Sequence, residues 1–239
     1  EPVRRVLSFL RESSLHQYER QADIIVLIDR GLESLNAALE HRRDTHGLAL
    51  GGEVFNETVD LGLSRSPETC SLWLHQAGEL MRETGFDWDC GDSATSLDRL
   101  AQYKIAILAC GDFIYREDAD ALRKFIAGGG TLVFGPGRPF MDQSLHRNLQ
   151  IESFFSGAAP LSDYLAPAGR QQAISLSLIQ MESPHEVARL IKTLGVSPRF
   201  TRSNTNLDMS VFNNREGRSL LFVANSSERP QKSDIFFKG

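Results

Sequence analysis

Only three cysteines occur in 239 residues, Cys70, Cys90 and Cys110, and no two form a CxxC pair. That excludes a disulfide scaffold, and an odd number of widely spaced thiols suits a reducing compartment, so a cytoplasmic location is expected. No apolar run approaches the roughly 18 residues a membrane span needs, so no membrane partner is expected. Lysine and arginine number 26 against 31 acidic residues, a net charge of −5, with no basic cluster carrying interleaved aromatics. A nucleic-acid partner is therefore not expected either. No His/Cys/Asp group has zinc spacing and no GxGxxG or GxxxxGK[ST] loop is present, so neither metal nor cofactor is anticipated. Repeats and low-complexity tracts are lacking as well. The chain begins at Glu1 rather than Met, which reads as a processed or excised piece, so missing targeting signals carry little weight.

What is present is ordinary globular material, 41% hydrophobic and 24% charged, enough for one large α/β domain and a small appendage. Its most legible stretch runs from Tyr103 to Arg138. Lys104 to Ala109 is short and apolar enough for a strand buried on both faces. Asp112 or Tyr115 opens a helix with acids first (Glu117, Asp118, Asp120) and bases later (Arg123, Lys124), the order the helix dipole favours. Ala119, Leu122, Phe125 and Ile126 share its inward face. Gly128-Gly129-Gly130 ends it, Thr131 to Phe134 returns as a second buried strand, and Gly135-Pro136-Gly137-Arg138-Pro139 leaves that strand. This is a βαβ crossover, and function on such sheets sits beyond the carboxyl ends of the strands.

Around it, Pro2 to about Tyr18 reads as a helix and Ile24 to Ile28 as a first buried strand. A helix carrying Leu32, Leu35, Ala38 and Leu39 follows, then an irregular glycine-bearing stretch from His41 to Arg65. Ser66-Pro67 starts a helix with Leu72, Trp73, Ala77, Leu80 and Met81 inward, closed by Gly85. Phe86 to Asp89 is expected as a strand and Ser96 to Ala101 as a short helix. Ala173 to Ile179 alternates like a half-exposed strand, and Pro184 opens a helix carrying Val187, Leu190, Ile191 and Leu194, stopped by Gly195. Met209 to Phe212 and Ser219 to Ala224 flank a turn that signals a hairpin, and Asp234 to Phe237 adds a strand. The fold expected is α/β, a flavodoxin-like doubly wound parallel sheet with helices on both faces, plus the start of a small antiparallel β module. Residues 1–21 would be a linker helix, 22–200 the α/β domain and 201–239 the β strands.

The strand ends supply the candidate ligand-binding residues Cys110, Gly111, Asp112, Gly137 and Arg138. Cys110 ends a strand near a helix start, where a thiolate would be stabilised, but free cysteine is commonly a buried apolar residue and no histidine can be set beside it. Pro136 removes an amide donor from the Gly135–Arg138 loop, so a tight turn explains it better than a phosphate cradle. Asp87 with Asp89, and Glu117 with Asp118, read as carboxylates on an exposed strand and a solvated helix start. Asn56-Glu57-Thr58 and Asn225-Ser226-Ser227 match the glycosylation sequon, a pattern that recurs by chance.

Taken together the order of elements resembles the class I glutamine-amidotransferase-like domain of bacterial β-galactosidases, the trimerisation domain of glycoside hydrolase family 42 and its family 35-like relatives. The resemblance rests on Ala22-Asp23-Ile24-Ile25-Val26-Leu27, Trp73, Tyr103-Lys104, Glu117 to Ile126, Gly129 to Val133, Gly135 to Pro139 and Leu221-Phe222-Val223-Ala224-Asn225, covering roughly residues 20 to 225. Active amidotransferases place a cysteine in a Gly-x-Cys-x-Gly elbow after the strand that follows the glycine turn. Here that place is Gly135-Pro136-Gly137-Arg138, and Cys110 lies one strand earlier. His185 and Glu186 are adjacent rather than a His-x-Glu pair. The resemblance therefore implies no catalytic residue in this chain, a homo-oligomer (a trimer by family likeness), and a catalytic (β/α)8 barrel elsewhere in a parent glycoside hydrolase. The alternatives are a thiol-dependent hydrolase or amidase using Cys110, and a module binding a small sugar or anion.

Overall fold

Why the apolar runs become strands is plain once their neighbours are in place. The computed structural model describes residues 17–20, 22–32, 34, 67–160, 173–175, 184–204, 206–225, 227 and 229–237, with Ser8 and Glu12 besides. In chain order these form β1 (Tyr18–Arg20), β2 (Ile24–Ile28), α1 (Pro67–Thr84), β3 (Trp88–Asp92), α2 (Leu97–Leu100), β4 (Ile105–Cys110), α3 (Arg116–Ala127) and β5 (Thr131–Pro136). They continue as α4 (Leu149–Ser156), β6 (Ala159–Pro160), β7 (Ala173–Ser175), α5 (Pro184–Thr193), β8 (Phe200–Arg202), β9 (Leu207–Asn214), β10 (Ser219–Asn225) and β11 (Ile235–Phe237). The expected loop from 41 to 65, the later part of the helix at Leu32, most of the leading helix and the Asn56 sequon lie outside the described residues.

Six strands pair in the order β3-β2-β4-β5-β7-β6, every pair parallel. Because successive strand residues point to opposite faces, each central strand feeds two cores. Ile24, Val26, Ile105, Ile107, Ala109 and Val133 pack against Trp73, Ala77, Leu80 and Met81 of α1 and Val187, Leu190 and Ile191 of α5. Ile25, Leu27, Ala106, Leu108, Cys110, Leu132 and Phe134 pack on the other face against α3 and α4. This is the flavodoxin-like α/β arrangement, a parallel sheet with helices on both faces, joined by separate small antiparallel sheets.

Four local expectations change. Leu72 is 48% exposed, and the inward stripe of α1 begins instead at Cys70, three residues before Trp73. Leu72 itself sits about 100° round the helix from Trp73, off that stripe. Strand β3 starts at Trp88, with Phe86 and Asp87 leading into it. As an edge strand paired only with β2 it tolerates the polar run Asp89 to Asp92 that hides its period. Tyr18–Arg20 is strand rather than helix end, paired antiparallel with β9, which in turn pairs with β10. Helix α4 and the short strand β6 have no counterpart in the sequence reading, although Asn148 Oδ1 caps α4 by accepting from the amides of Gln150 and Ile151.

Candidate functional site

The strand order reverses between β2 and β4, and the crevice beyond their carboxyl ends is where a doubly wound sheet holds a ligand. Asp29 leaves β2 at that point, and Cys110-Gly111-Asp112 leaves β4. The Asp29 carboxylate accepts the Gly31 amide at 2.9 Å, capping the helical turn that starts at Arg30. Its other oxygen, Oδ2, is buried with no hydrogen-bond partner. Burial, first of all, and then the Asp118 charge against the lowering effect of the Gly31 amide, push the Asp29 carboxyl up to about 7.

The neighbouring polar groups are already spent on one another. Arg30 donates from Nε to Asp118 Oδ2 at 3.0 Å and from Nη2 to Asp118 Oδ1 at 2.9 Å. The same Nη2 reaches Glu117 at 2.6 Å, and the guanidinium lies 4.2 Å from the Tyr115 ring centroid. Ser93, leaving β3, donates to Asp118 Oδ2 at 2.6 Å and accepts the Arg30 amide at 3.2 Å. One buried carboxylate thus clasps the exits of β2 and β3 to α3. Farther along, Arg116 pairs with Asp142, and those hydrogen bonds with the Ser144 amide hold the Asp142 carboxyl down to about 2. Two of the carboxylates expected in solvent are therefore buried: Asp118, and also Asp87, which pairs with Arg20 at 3.1 Å. Helix-start and edge-strand patterns describe where such acids sit in the chain, not which cation the fold brings to them.

At Cys110 the geometry is that of a packed core. The side chain is fully buried in register with Ala106 and Leu108, and its thiol faces the Gly137 carbonyl at 3.7 Å. Burial pushes the thiol well above its ordinary range, and the acidic groups Asp29 and Asp112 and the second thiol of Cys70 push the same way. A nucleophilic cysteine needs a cation or a base beside it to favour the thiolate; at Cys110 the Gly135 backbone hydrogen bond acts that way, and burial with the neighbouring acids outweighs it. Gly137, on the loop leaving β5, donates its amide to the Cys110 carbonyl at 2.9 Å. A Cβ at Gly137 would lie 2.4 Å from the Gly111 carbonyl oxygen, so the two glycine backbones lie in direct contact. Asp112 is buried and its carbonyl accepts the amides of Phe140 and Met141. Arg138 alone of the five candidates is exposed. The structure thus brings Cys110, Gly111 and Gly137 together as packing and leaves Arg138 on the surface. Asp29, Arg30 and Ser93 were missed by the sequence reading, although an acid directly after the IIVLI strand was a usable signal, and Asp118 was read only as a solvated helix-start acid. Among the described residues no cluster of His, Cys, Asp or Glu could hold a metal ion, and no helix is long and apolar enough to cross a membrane.

No protein-family model matches the sequence, and no curated protein matches it. Solved structures do. The GH42 β-galactosidase Gan42B from G. stearothermophilus aligns over 92% of this chain and 36% of its own, at 15% identity and a TM-score of 0.55. A β-galactosidase from Bacillus circulans sp. alkalophilus aligns over 89% of this chain and 36% of its own, at 14% identity and a TM-score of 0.56. The α-L-fucosidase isoenzyme 2 from Paenibacillus thiaminolyticus aligns over 95% of this chain and 43% of its own, at 12% identity and a TM-score of 0.50. The chain therefore has the fold of a part of GH42 β-galactosidases, and it spans about a third of the length of those it matches.

Proposed function

We propose that this chain is a non-catalytic, amidotransferase-like portion of a β-galactosidase-type glycoside hydrolase, serving subunit assembly and the bracing of a catalytic barrel outside it. The observation that carries the reading is the packing of the chain segments that leave β4 and β5. On the amidotransferase resemblance the nucleophile's position would be Gly135-Pro136-Gly137-Arg138, the nearest thiol is buried and disfavoured as a thiolate, and Gly111 rests on Gly137. The likeness to GH42 β-galactosidases over about a third of their length supports the choice of parent. A fold retained without a nucleophile at that place fits a scaffold role, because fold and function separate readily. The burial of Cys110 gives the thiol-hydrolase reading no support, and the Gly111–Gly137 packing gives none to a strand-end anion site.

Assembly is tested on the full-length protein that carries this chain, by light scattering on a sizing column with and without residues 22–200. The intact protein should run as a closed homo-oligomer, a trimer on this reading, and the deletion as a smaller species. An unchanged oligomer after deletion would refute the assembly role.

A further inference from the structure

The antiparallel strands meet the parallel sheet across a second recess, at the amino end of β3 and so at the opposite end of the sheet from Asp29. Its volume is about 180 Å³, and its walls include Phe86, Trp88 and Phe200 beside Arg20, Arg82 and Arg202. The three arginines differ in how they are satisfied. Arg20 pairs with Asp87 and Arg82 with Glu79 on its own helix. Arg202 has Nε and Nη2 both buried and without a hydrogen-bond partner. Those two N–H groups form the parallel edge of the guanidinium, the edge that receives two oxygens of one carboxylate side by side.

Buried donors of a charged group are normally matched, so a pair left open on the same edge marks a place for an acceptor. The one carboxylate lining the recess among the described residues, Asp208, is exposed and forms no ion pair with Arg202. Arg82 stands close enough to repel the Arg202 charge, while Asp208 attracts it. With Arg20 matched by Asp87, a single negative charge placed between Arg82 and Arg202 would relieve that repulsion. The presence of Asp208 favours a monoanion over a doubly charged phosphate, and the aromatic walls favour an organic body behind the charge.

We propose that this recess binds a small organic monocarboxylate, side-on to Nε and Nη2 of Arg202, with its apolar body against Trp88 and Phe200. The site is independent of the assembly role and stands whether or not that role does. Of the two tryptophans in the chain, Trp73 is fully buried in the core, so a ligand-dependent change in fluorescence reports on Trp88. Sodium cyclohexanecarboxylate is titrated into the intact chain, with sodium phosphate as a second arm and sodium chloride at matched ionic strength as the control. A saturable change with the carboxylate is expected, and Arg202→Gln should weaken it by about tenfold or more through loss of the bidentate pair. Arg202→Lys, which keeps the charge and loses the fork, should weaken it by roughly fivefold. Asp208→Asn should tighten it by about threefold by removing the competing charge. If Arg202→Gln does not fold by circular dichroism, Asp208→Asn decides, since Asp208 is exposed and its replacement leaves the core intact. Absence of a saturable response beyond the chloride control, an unchanged midpoint in Arg202→Gln or in Asp208→Asn, or tighter binding of phosphate than of the carboxylate would each overturn the proposal.

Discussion

Gly137→Ala is expected to destabilise the fold by about 3–5 kcal/mol, lowering the melting temperature by roughly 10 °C for a chain of this size. The new Cβ would stand 2.4 Å from the Gly111 carbonyl oxygen and 2.6 Å and 2.7 Å from the carbon atoms behind it. All three are backbone atoms, so no side chain can swing aside to make room. The loops cannot separate freely either, because Cys110 pairs with Pro136 in the β4–β5 ladder and the Gly137 amide donates to the Cys110 carbonyl. Overpacking against fixed backbone sits at the costly end of small-to-large changes. Gly78 supplies the control: it lies within α1 with nothing within 4 Å of an added Cβ. Gly78→Ala should be neutral or stabilising by up to about 1 kcal/mol, from helix propensity alone. Urea denaturation of both variants checks the pair, and a Gly137→Ala loss no larger than about 1 kcal/mol would mean the Gly111–Gly137 contact is looser than the geometry requires.

Asp29→Asn should leave stability nearly unchanged at pH 4 and raise it by about 2–4 kcal/mol at pH 8.5. The carboxyl titrates near 7 in the folded chain against an ordinary value of 3.8. The folded state therefore holds this proton more tightly than the unfolded state does. Its contribution is fully present below the unfolded value and is lost as pH rises through the folded one, so the wild type loses stability between about pH 4 and pH 7. Asparagine removes the charge while its side-chain oxygen can still accept the Gly31 amide, preserving the cap. The orphaned Oδ2 position becomes an unpartnered amide, which is why the gain falls short of the full shift. Thermal melts of wild type and variant across this pH range should diverge steadily with rising pH. Parallel curves would mean that Asp29 is not buried as described.

How much of this was legible in the sequence differs from element to element for physical reasons. Ile24–Ile28 and Ile105–Cys110 are buried on both faces, so their composition is dictated twice over and their limits could be read within a residue. Helix α3 was equally clear, because its dipole order and apolar stripe agree, and Ala119, Leu122 and Phe125 are indeed buried. The edge strand at Trp88–Asp92 was blurred because only one neighbour constrains it. Tyr18–Arg20 was lost because its partner, β9, lies nearly 200 residues away, at Asn214, Asn213 and Phe212. Local patterns cannot carry pairing at that distance. The site was half legible. The place beyond β4 and β5 could be named, but the Arg30–Asp118–Ser93 clasp joins residues 88 and 25 positions apart and exists only once the sheet is assembled. Cys110, which the sequence offers as either a strand-end thiolate or a buried apolar residue, is in the folded chain a core residue.

That Cys110 is a packed core thiol rather than a nucleophile is tested most directly by alkylation. The folded chain is treated with iodoacetamide at pH 8, and modification of each cysteine is followed by peptide mass spectrometry, then repeated in denaturing urea. Cys90 is exposed while Cys70 and Cys110 are buried. The folded protein should therefore label at Cys90 alone, with Cys70 and Cys110 reacting only on unfolding. Labelling of Cys110 in the folded chain as fast as Cys90, or faster, would contradict the account and return this thiol to the list of nucleophiles.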